Sequence, residues 1–226
     1  MYFIIGSPKS IESIKGQNLP DLDIRKIRES QKILVIDDNP SHYKDFLVEK
    51  YEFKITKIDD IQDISVVSEY GVILCDMEGV GKGIGGKSGG DVITEIRKRY
   101  PLKQIVAYTG HKFQASYNKY FTLADRVVEK DIELDEWVEL LDGLAKELTD
   151  PIVQWKRTRN LLFEQGVATS IVVELEDSFV TSCFDKEKLN NLKGSRIVDK
   201  LSPVSKNIVQ DLVTNLLVRL IIGGVS

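Results

Sequence analysis

The sequence predicts an α/β domain with a five-stranded parallel sheet, followed by an all-α region. Three observations support this prediction. Short apolar runs alternate with helix-length segments between residues 31 and 150, which is the pattern of a parallel sheet covered by helices. Several of these runs end in acidic, hydroxyl or ammonium side chains. Beyond Asp150-Pro151 the apolar spacing is helical.

The predicted elements follow one another in the order of a doubly wound sheet. Strands are expected near 32–37, 52–57, 72–76, 103–108 and 126–129. Helices are expected near 40–50, 60–69, 90–99, 111–122 and 133–148. The helix near 133–148 has the clearest sequence pattern, because apolar residues share one of its faces at helical spacing: Leu134, Trp137, Leu141, Leu144 and Leu148.

Two further segments flank the sheet. Residues 1–30 form an N-terminal extension, in which Leu19-Pro20-Asp21 indicates a helix from Asp21 to Glu29. Residues 151–226 are expected to form a helical output or interaction domain, with helices near 152–165, 168–184 and 203–222.

Four predicted strands end in groups that carry chemistry: Asp37 with Asp38, Asp76, Thr109 and Lys130. The carboxyl ends of parallel strands meet at one edge of the sheet, so residues far apart in sequence converge there. Mg²⁺ prefers oxygen ligands, and adjacent carboxylates often hold a metal. We expect Asp38 and Asp76 to be the direct ligands, with Asp37 beside them or acting through water.

This ordered set resembles the receiver domain of two-component response regulators, which has a flavodoxin-like fold, over about residues 31–150. The resemblance implies that Asp76 accepts a phosphoryl group. It also implies that Thr109 reads the phosphoryl group and that Lys130 pairs with it.

The same resemblance implies a Mg²⁺ site formed by Asp37, Asp38 and Asp76, with the backbone carbonyl of Glu78 as a further ligand. A carboxylate can accept a phosphoryl group covalently, but carboxylates and phosphate oxygens repel one another unless cations intervene. Mg²⁺ and Lys130 would supply those cations. Phosphoryl transfer depends mainly on positioning and charge neutralisation, so no dedicated base is needed.

The chain departs from the receiver pattern in three places. The loop over 79–90 is long, lacks the usual proline and holds seven glycines, which predicts a mobile lid over the acidic pocket. Receivers usually place an aromatic residue three positions before the lysine and a proline after it, where this chain has Val127 and Asp131. The usual coupling between threonine and aromatic ring therefore cannot operate in its common form.

The segment from Gly81 to Ser88 also has the formal pattern GxxxxGKS of a nucleotide-binding P-loop. We discount this interpretation. Gly89-Gly90 lies where the first helical turn would form, and glycine is about 1 kcal/mol worse than alanine in a helix. The preceding strand also ends too far before Lys87 for the usual strand, loop and helix arrangement.

Net charge and hydropathy limit the classes of partner that the chain can bind. The net charge of −4 gives no basic field for nucleic acid, and the tail after residue 150 has ten Lys/Arg against eight Asp/Glu, which argues against DNA. No apolar run reaches membrane-spanning length.

Cys75 and Cys183 lack the spacing of a metal site or a disulfide framework, which favours the cytoplasm. Cys75 is expected to be packed in the core.

The last helix, 203–222, is apolar almost all round and must be buried. It can pack against the two preceding helices, against a partner protein or against a second copy of the chain to form a homodimer. We expect the region to mediate protein association.

The sequence therefore predicts a phosphoacceptor signalling protein and not an enzyme. It would receive phosphate on Asp76 from a histidine kinase or phosphotransfer protein and act on a downstream protein partner. The alternative is a phosphorylation-independent scaffold, which Val127 and the altered loop favour. An enzyme of the haloacid-dehalogenase type ranks third, because it needs a second aspartate two residues after its nucleophile, where this chain has Glu78.

Overall fold

The chain forms two compact units in a computed structural model that describes residues 8–15, 22–39, 43–110 and 115–224. One unit runs from Ile24 to Lys146 and contains the sheet. The other combines the described residues before Ile24 with those from Glu147 onward. The predicted division at residues 30 and 150 differs from this grouping, because the described start of the chain lies with the C-terminal helices.

Five strands form one parallel sheet in the order β2-β1-β3-β4-β5. Their bounds are β1 Lys32–Ile36, β2 Lys54–Ile58, β3 Val72–Asp76, β4 Gln104–Thr109 and β5 Arg126–Glu129. This is the strand order of flavodoxin-like doubly wound folds. The predicted fold class is confirmed. The central strands β3 and β4 are buried along their whole length, which explains why their sequences are continuously apolar and do not alternate.

The helices of the sheet unit are α1 Ile24–Ser30, α2 Lys44–Glu49, α3 Gly89–Arg99, α4 Asn118–Phe121 and α5 Leu134–Thr149, whose last residues belong to the other unit. The predicted start of the first helix at Asp21 lies outside the described residues. So does the predicted start of the second at residue 40.

Two predicted helices take a different form. The segment expected to be helical near 60–69 is a 3-10 helix over Ile64–Glu69, because its valines and serines have low α-helix propensity. Within the segment 111–122, the first four residues lie outside the described part of the chain. The remainder is a 3-10 turn over Ala115–Tyr117 followed by the single turn of α4.

Alternate residues of the strands face opposite sides of the sheet. On one side, Ile36, Ile73 and Ala107 pack into a core cluster with Ile93 of α3 and with Cys75. The burial of Cys75 agrees with its predicted role in packing.

On the other side of the sheet lies α5, which buries Trp137, Leu141 and Leu144 as predicted. The guanidinium of Arg28 in α1 forms an ion pair with the same helix. It donates two hydrogen bonds to the carboxylate of Asp142, at 2.7 and 2.6 Å.

The second unit is helical. Its α-helices are α6 Pro151–Glu164, α7 Thr169–Ser182, α8 Lys186–Leu192, α9 Arg196–Asp199 and α10 Pro203–Ile222. A 3-10 helix over Ile11–Ile14 packs against α6 and α7. The three predicted tail helices are confirmed. Sequence reasoning missed α8 and α9, although the N-cap residues Asp185 and Ser195 mark their starts.

Helix α10 is buried within its own chain. It packs against α6 and α8 and places most of its apolar side chains in the core: Ile208, Val209, Leu212, Val213, Leu216 and Leu220. Polar groups fix its position, since the amide of Asn215 donates to the side chain of Gln154 at 3.0 Å. The apolar surface that raised the question of a partner is thus largely covered, although Ile221 remains 60% exposed.

Among the described residues, no helix is both long enough and apolar enough to cross a membrane.

Candidate functional site

Three carboxylates meet where β1 and β3 end. Asp37 and Asp38 follow β1, and Asp76 is the last residue of the neighbouring strand β3. Each of the three places one oxygen within 4.8 Å of the others. Asp37 and Asp76 are buried, whereas Asp38 is exposed. The structure therefore brings together acids that are separated by almost forty positions in the sequence.

Lys130 reaches this cluster from the end of β5. Its Nζ atom lies 2.5 Å from Asp76 Oδ2 and 3.3 Å from Asp37 Oδ2. Burial alone would lower the pKa of Lys130, but its hydrogen bond to Asp76 and the charges of Asp76 and Asp37 raise that pKa above the ordinary value. The ammonium group is therefore a permanent cation of the site.

The two buried carboxylates differ in their environment. Burial raises the pKa of Asp76 to about 6, against the lowering by Lys130 and by the backbone N–H of Glu78, which donates to Asp76 Oδ1 at 3.2 Å. Asp37 is also buried, yet its pKa is lowered, because it accepts hydrogen bonds from the backbone of Asn39 and from Tyr108 and faces Lys130. Asp76 is the buried carboxylate whose charge is less well compensated.

The cluster fits Mg²⁺ in donor chemistry, since it offers several carboxylate oxygens beside an exposed member, Asp38. Both oxygens of Asp37 already accept protein hydrogen bonds. Asp38 and Asp76 are therefore the better candidates for direct ligands, with Asp37 adjacent. A bound Mg²⁺ would supply positive charge that offsets the repulsion between these acids and phosphate oxygens.

Glu78 and Thr109 lie at the same edge of the sheet. The carboxylate of Glu78 accepts a hydrogen bond from the hydroxyl of Tyr117 at 3.4 Å, and the role predicted for its backbone carbonyl stays a prediction. Thr109 is the fully buried last residue of β4. Its carbonyl accepts the backbone N–H of Lys130 at 3.1 Å. The part of its hydroxyl in reading a phosphoryl group also stays a prediction.

The backbone of the Gly-rich loop is hydrogen-bonded to a side chain outside the loop, and the mobility predicted from its glycines stays a prediction. The carboxylate of Asp60 accepts the backbone N–H groups of Gly81 at 2.6 Å and of Gly83 at 2.9 Å. Gly79 adopts a φ of 77°, and a Cβ at that position would overlap the carboxylate of Asp38. The loop therefore forms one wall of the acidic cluster. Sequence reasoning missed the anchoring role of Asp60.

The GxxxxGKS pattern does not form a phosphate cradle. The carboxylate of Asp91 accepts the backbone N–H of Lys87 at 2.7 Å, so an acidic side chain occupies a donor that a P-loop would offer to phosphate. Helix α3 begins at Gly89, two residues after Lys87. These contacts agree with our rejection of the nucleotide-binding interpretation.

An aromatic group that sequence reasoning missed borders the acids. Tyr108 is fully buried, and its hydroxyl donates to Asp37 Oδ2 at 2.8 Å. Its ring meets that of Trp137 edge to face, with centroids 6.1 Å apart, and Trp137 stacks on Tyr43 at 4.4 Å. Its position in the sequence could have indicated this role, because Tyr108 directly precedes Thr109 and carries a polar hydroxyl in an otherwise apolar strand.

Position 127, at which the predicted receiver pattern has an aromatic residue, carries a valine that takes part in core packing. Val127 is half-buried and packs against the core cluster beside α3. The aromatic ring next to the acids thus comes from β4 instead of β5.

The strand order of the sheet unit is that of flavodoxin-like doubly wound folds, a class that includes response regulator receiver domains. No protein-family model matches the chain, and no curated protein matches it either.

Similar solved structures include several response regulators. A receiver domain protein from Methanospirillum hungatei is 16% identical, with 52% of this chain and 94% of that chain covered and a TM-score of 0.44. A Thermotoga maritima response regulator in complex with Mg²⁺ and BeF is 25% identical, with coverage of 50% and 98% and a TM-score of 0.39. A Burkholderia pseudomallei response regulator with a phosphorylated aspartic acid and a calcium ion is 18% identical, with coverage of 62% and 88% and a TM-score of 0.40.

Proposed function

We propose that this chain is a response regulator that accepts a phosphoryl group on Asp76 in a Mg²⁺-dependent reaction and signals through its helical region. The observation that carries this proposal is the part-buried contact of 2.5 Å between Lys130 Nζ and Asp76 Oδ2, beside two further carboxylates. A structural ion pair would not need two further acids beside it, because they repel Asp76 at a cost to stability.

The proposed reaction transfers a phosphoryl group from a donor to a carboxylate oxygen of Asp76. A bond forms between that oxygen and phosphorus, and the bond from phosphorus to the donor breaks, so the leaving group departs with its electron pair. Asp76 needs no base to remove a proton, since it reacts as the carboxylate. Lys130 neutralises the phosphoryl oxygens that arrive beside Asp37, and Thr109 would donate its hydroxyl to one of them.

The donor class that suits this chemistry is a phosphorylated histidine on a histidine kinase or phosphotransfer protein. The helical region would then contact a downstream protein partner. Its surface keeps several exposed apolar side chains for such a contact: Val153, Phe163, Val173 and Ile221. A homodimer is a further proposal for the same surface.

The test is Mg²⁺-dependent phosphorylation by acetyl phosphate, followed by intact mass. Wild-type protein should gain one phosphoryl group with Mg²⁺ and none with EDTA. Asp76→Asn should gain none. Asp59→Asn is the matched control, because Asp59 is also an acid after a strand, but its side chain is 84% exposed and lies outside the cluster. A wild-type protein that stays unmodified by acetyl phosphate and by a partner histidine kinase would overturn the proposal.

The second candidate function is a phosphorylation-independent binding module with a receiver fold. The specific observation that favours it is Val127, whose side chain packs into the core where receivers usually have a mobile aromatic ring. Binding of a protein partner with equal affinity by wild type and Asp76→Asn, together with an unmodified wild type, would support this candidate.

A further inference from the structure

The phenol of Tyr108 connects the acidic cluster to helix α5. Tyr108 pairs with Asp76 across the β3 and β4 ladder, and its hydroxyl donates to Asp37 Oδ2 at 2.8 Å. Its side chain is fully buried, so water does not compete for this hydrogen bond. The ring face lies under Lys130, with Nζ 5.3 Å from the centroid. One side chain therefore touches both an acid and the cation of the cluster.

The same ring also contacts α5. Trp137 meets Tyr108 at an interplanar angle of 87°, and Tyr43 stacks on the indole at 18°. Trp137 is fully buried at the first turn of α5. A shift of the Tyr108 ring would press on this stack, because close-packed protein interiors transmit strain.

The hydrogen bonds around Asp37 explain why Lys130 lies closer to Asp76 than to Asp37. Asp37 Oδ1 accepts the N–H of Asn39 at 2.9 Å, and Oδ2 accepts the phenol. With both oxygens supplied, Asp37 holds Lys130 only at 3.3 Å, whereas Asp76 holds it at 2.5 Å. The phenol thus competes with the ammonium for Asp37 Oδ2, and Lys130 lies closer to Asp76 than to Asp37.

We propose that Tyr108 is a positioning residue of the phosphoacceptor site: it holds Asp37 back from the metal and transmits changes in the cluster to Trp137 of α5. This inference rests on the proposed function. When Asp76 gains a phosphoryl group, Lys130 moves toward the phosphoryl oxygens and away from Asp37. The hydrogen bond from the phenol then becomes a larger part of what stabilises the charge of Asp37. Tyr108 would in this way replace the aromatic residue that is missing at position 127.

The first test is the affinity for Mg²⁺ alone, measured by isothermal titration calorimetry on the full chain. Tyr108→Phe should bind Mg²⁺ more tightly than wild type, by about tenfold, because a hydrogen bond to a charged group no longer competes for the oxygen of Asp37. A purely structural role predicts lower thermal stability with unchanged or weaker Mg²⁺ binding. Tighter binding by a less stable variant separates the two explanations.

The matched control is Tyr120→Phe. Its hydroxyl also donates to a carboxylate, that of Asp91, at 3.2 Å, but Asp91 is outside the cluster that could hold a metal. We expect Tyr120→Phe to bind Mg²⁺ with wild-type affinity.

The second test follows the emission of Trp137 when Mg²⁺ and beryllofluoride, a mimic of a phosphoryl group, are added. The chain has two tryptophans, so Trp155→Phe serves as the background, since Trp155 stacks on Phe179 in the helical unit. The change in emission should be smaller with Tyr108→Phe than with Tyr120→Phe. If the background variant does not fold, ¹⁹F resonances of 5-fluorotryptophan separate the two indoles in the full chain.

Unchanged or weaker Mg²⁺ binding by Tyr108→Phe, or a Trp137 response equal to that of the control, would overturn the inference while leaving the proposed function intact. A wild-type protein that binds no Mg²⁺ would overturn the proposed function and this inference with it.

Discussion

Gly79→Ala should damage the acidic cluster specifically, and the chain provides a matched control for it. Gly79 and Gly85 have nearly the same backbone conformation, with φ of 77° and 76°. Alanine at either position should therefore cost a similar amount, about 1–2 kcal/mol of unfolding free energy, for the left-handed conformation. The two positions differ in what a methyl group would meet: the carboxylate of Asp38 at Gly79, and nothing within 4 Å at Gly85.

The extra effect at position 79 is a displaced carboxylate. Loss of one direct oxygen ligand should weaken Mg²⁺ binding by at least about tenfold, the equivalent of one charge-assisted contact of roughly 1.4 kcal/mol. Gly85→Ala should keep wild-type affinity. Calorimetric titration with Mg²⁺ measures the affinities, and urea unfolding followed by Trp137 emission in the Trp155→Phe background measures the stabilities. Equal Mg²⁺ affinity in the two alanine variants would refute the placement of Asp38 beside the loop.

Two further predictions concern the acids. Because burial raises the pKa of Asp76 to about 6, above its ordinary value, the folded protein binds a proton there more readily than the unfolded chain, and this group favours folding as pH falls. Asp76→Asn should therefore be more stable than wild type at pH 8 without Mg²⁺, by on the order of 2–3 kcal/mol. This difference in stability should shrink toward pH 4. Thermal melts of both proteins from pH 8 to pH 4 measure it, and a constant difference would contradict the prediction. Asp60→Ala should remove the acceptor of Gly81 and Gly83, lowering stability by about 1–3 kcal/mol and speeding amide exchange at both glycines, whereas Asp59→Ala should change neither.

Much of the sheet unit could be predicted from its sequence because its signals are local. Buried parallel strands are continuous apolar runs, and each site residue directly follows or ends such a run. Asp37, Asp38, Asp76 and Lys130 converge in the structure because the strand order places their ends at one edge. This convergence follows from a general property of parallel sheets.

The features that could not be predicted depend on contacts between segments distant in sequence. The seven glycines of the loop give no sign that the carboxylate of Asp60, about twenty residues earlier, accepts hydrogen bonds from the loop backbone. In the sequence Tyr108 resembles any core aromatic residue, but its hydroxyl donates to Asp37, 71 positions away. Local propensity carries no information about such pairs.

The helical region shows a second limit. Helix α10 is apolar on nearly every side, and the sequence left open whether its own chain or a partner covers it. Part of the answer lies in α8, which packs against α10 together with α6 and is a helix of seven residues rich in Lys and Asn. Its apolar contribution is confined to Leu189 and Leu192, too few for a periodic signal.

The measurement that tests the central claim most directly is the location of the phosphoryl group. Wild-type protein treated with acetyl phosphate and Mg²⁺ is reduced with borohydride, which converts an aspartyl phosphate to homoserine, and then digested and sequenced by tandem mass spectrometry. The proposed chemistry predicts homoserine at position 76 and aspartate at positions 37 and 38. Homoserine at another position, or none in protein that binds Mg²⁺, would contradict the assignment of Asp76 as the phosphoacceptor.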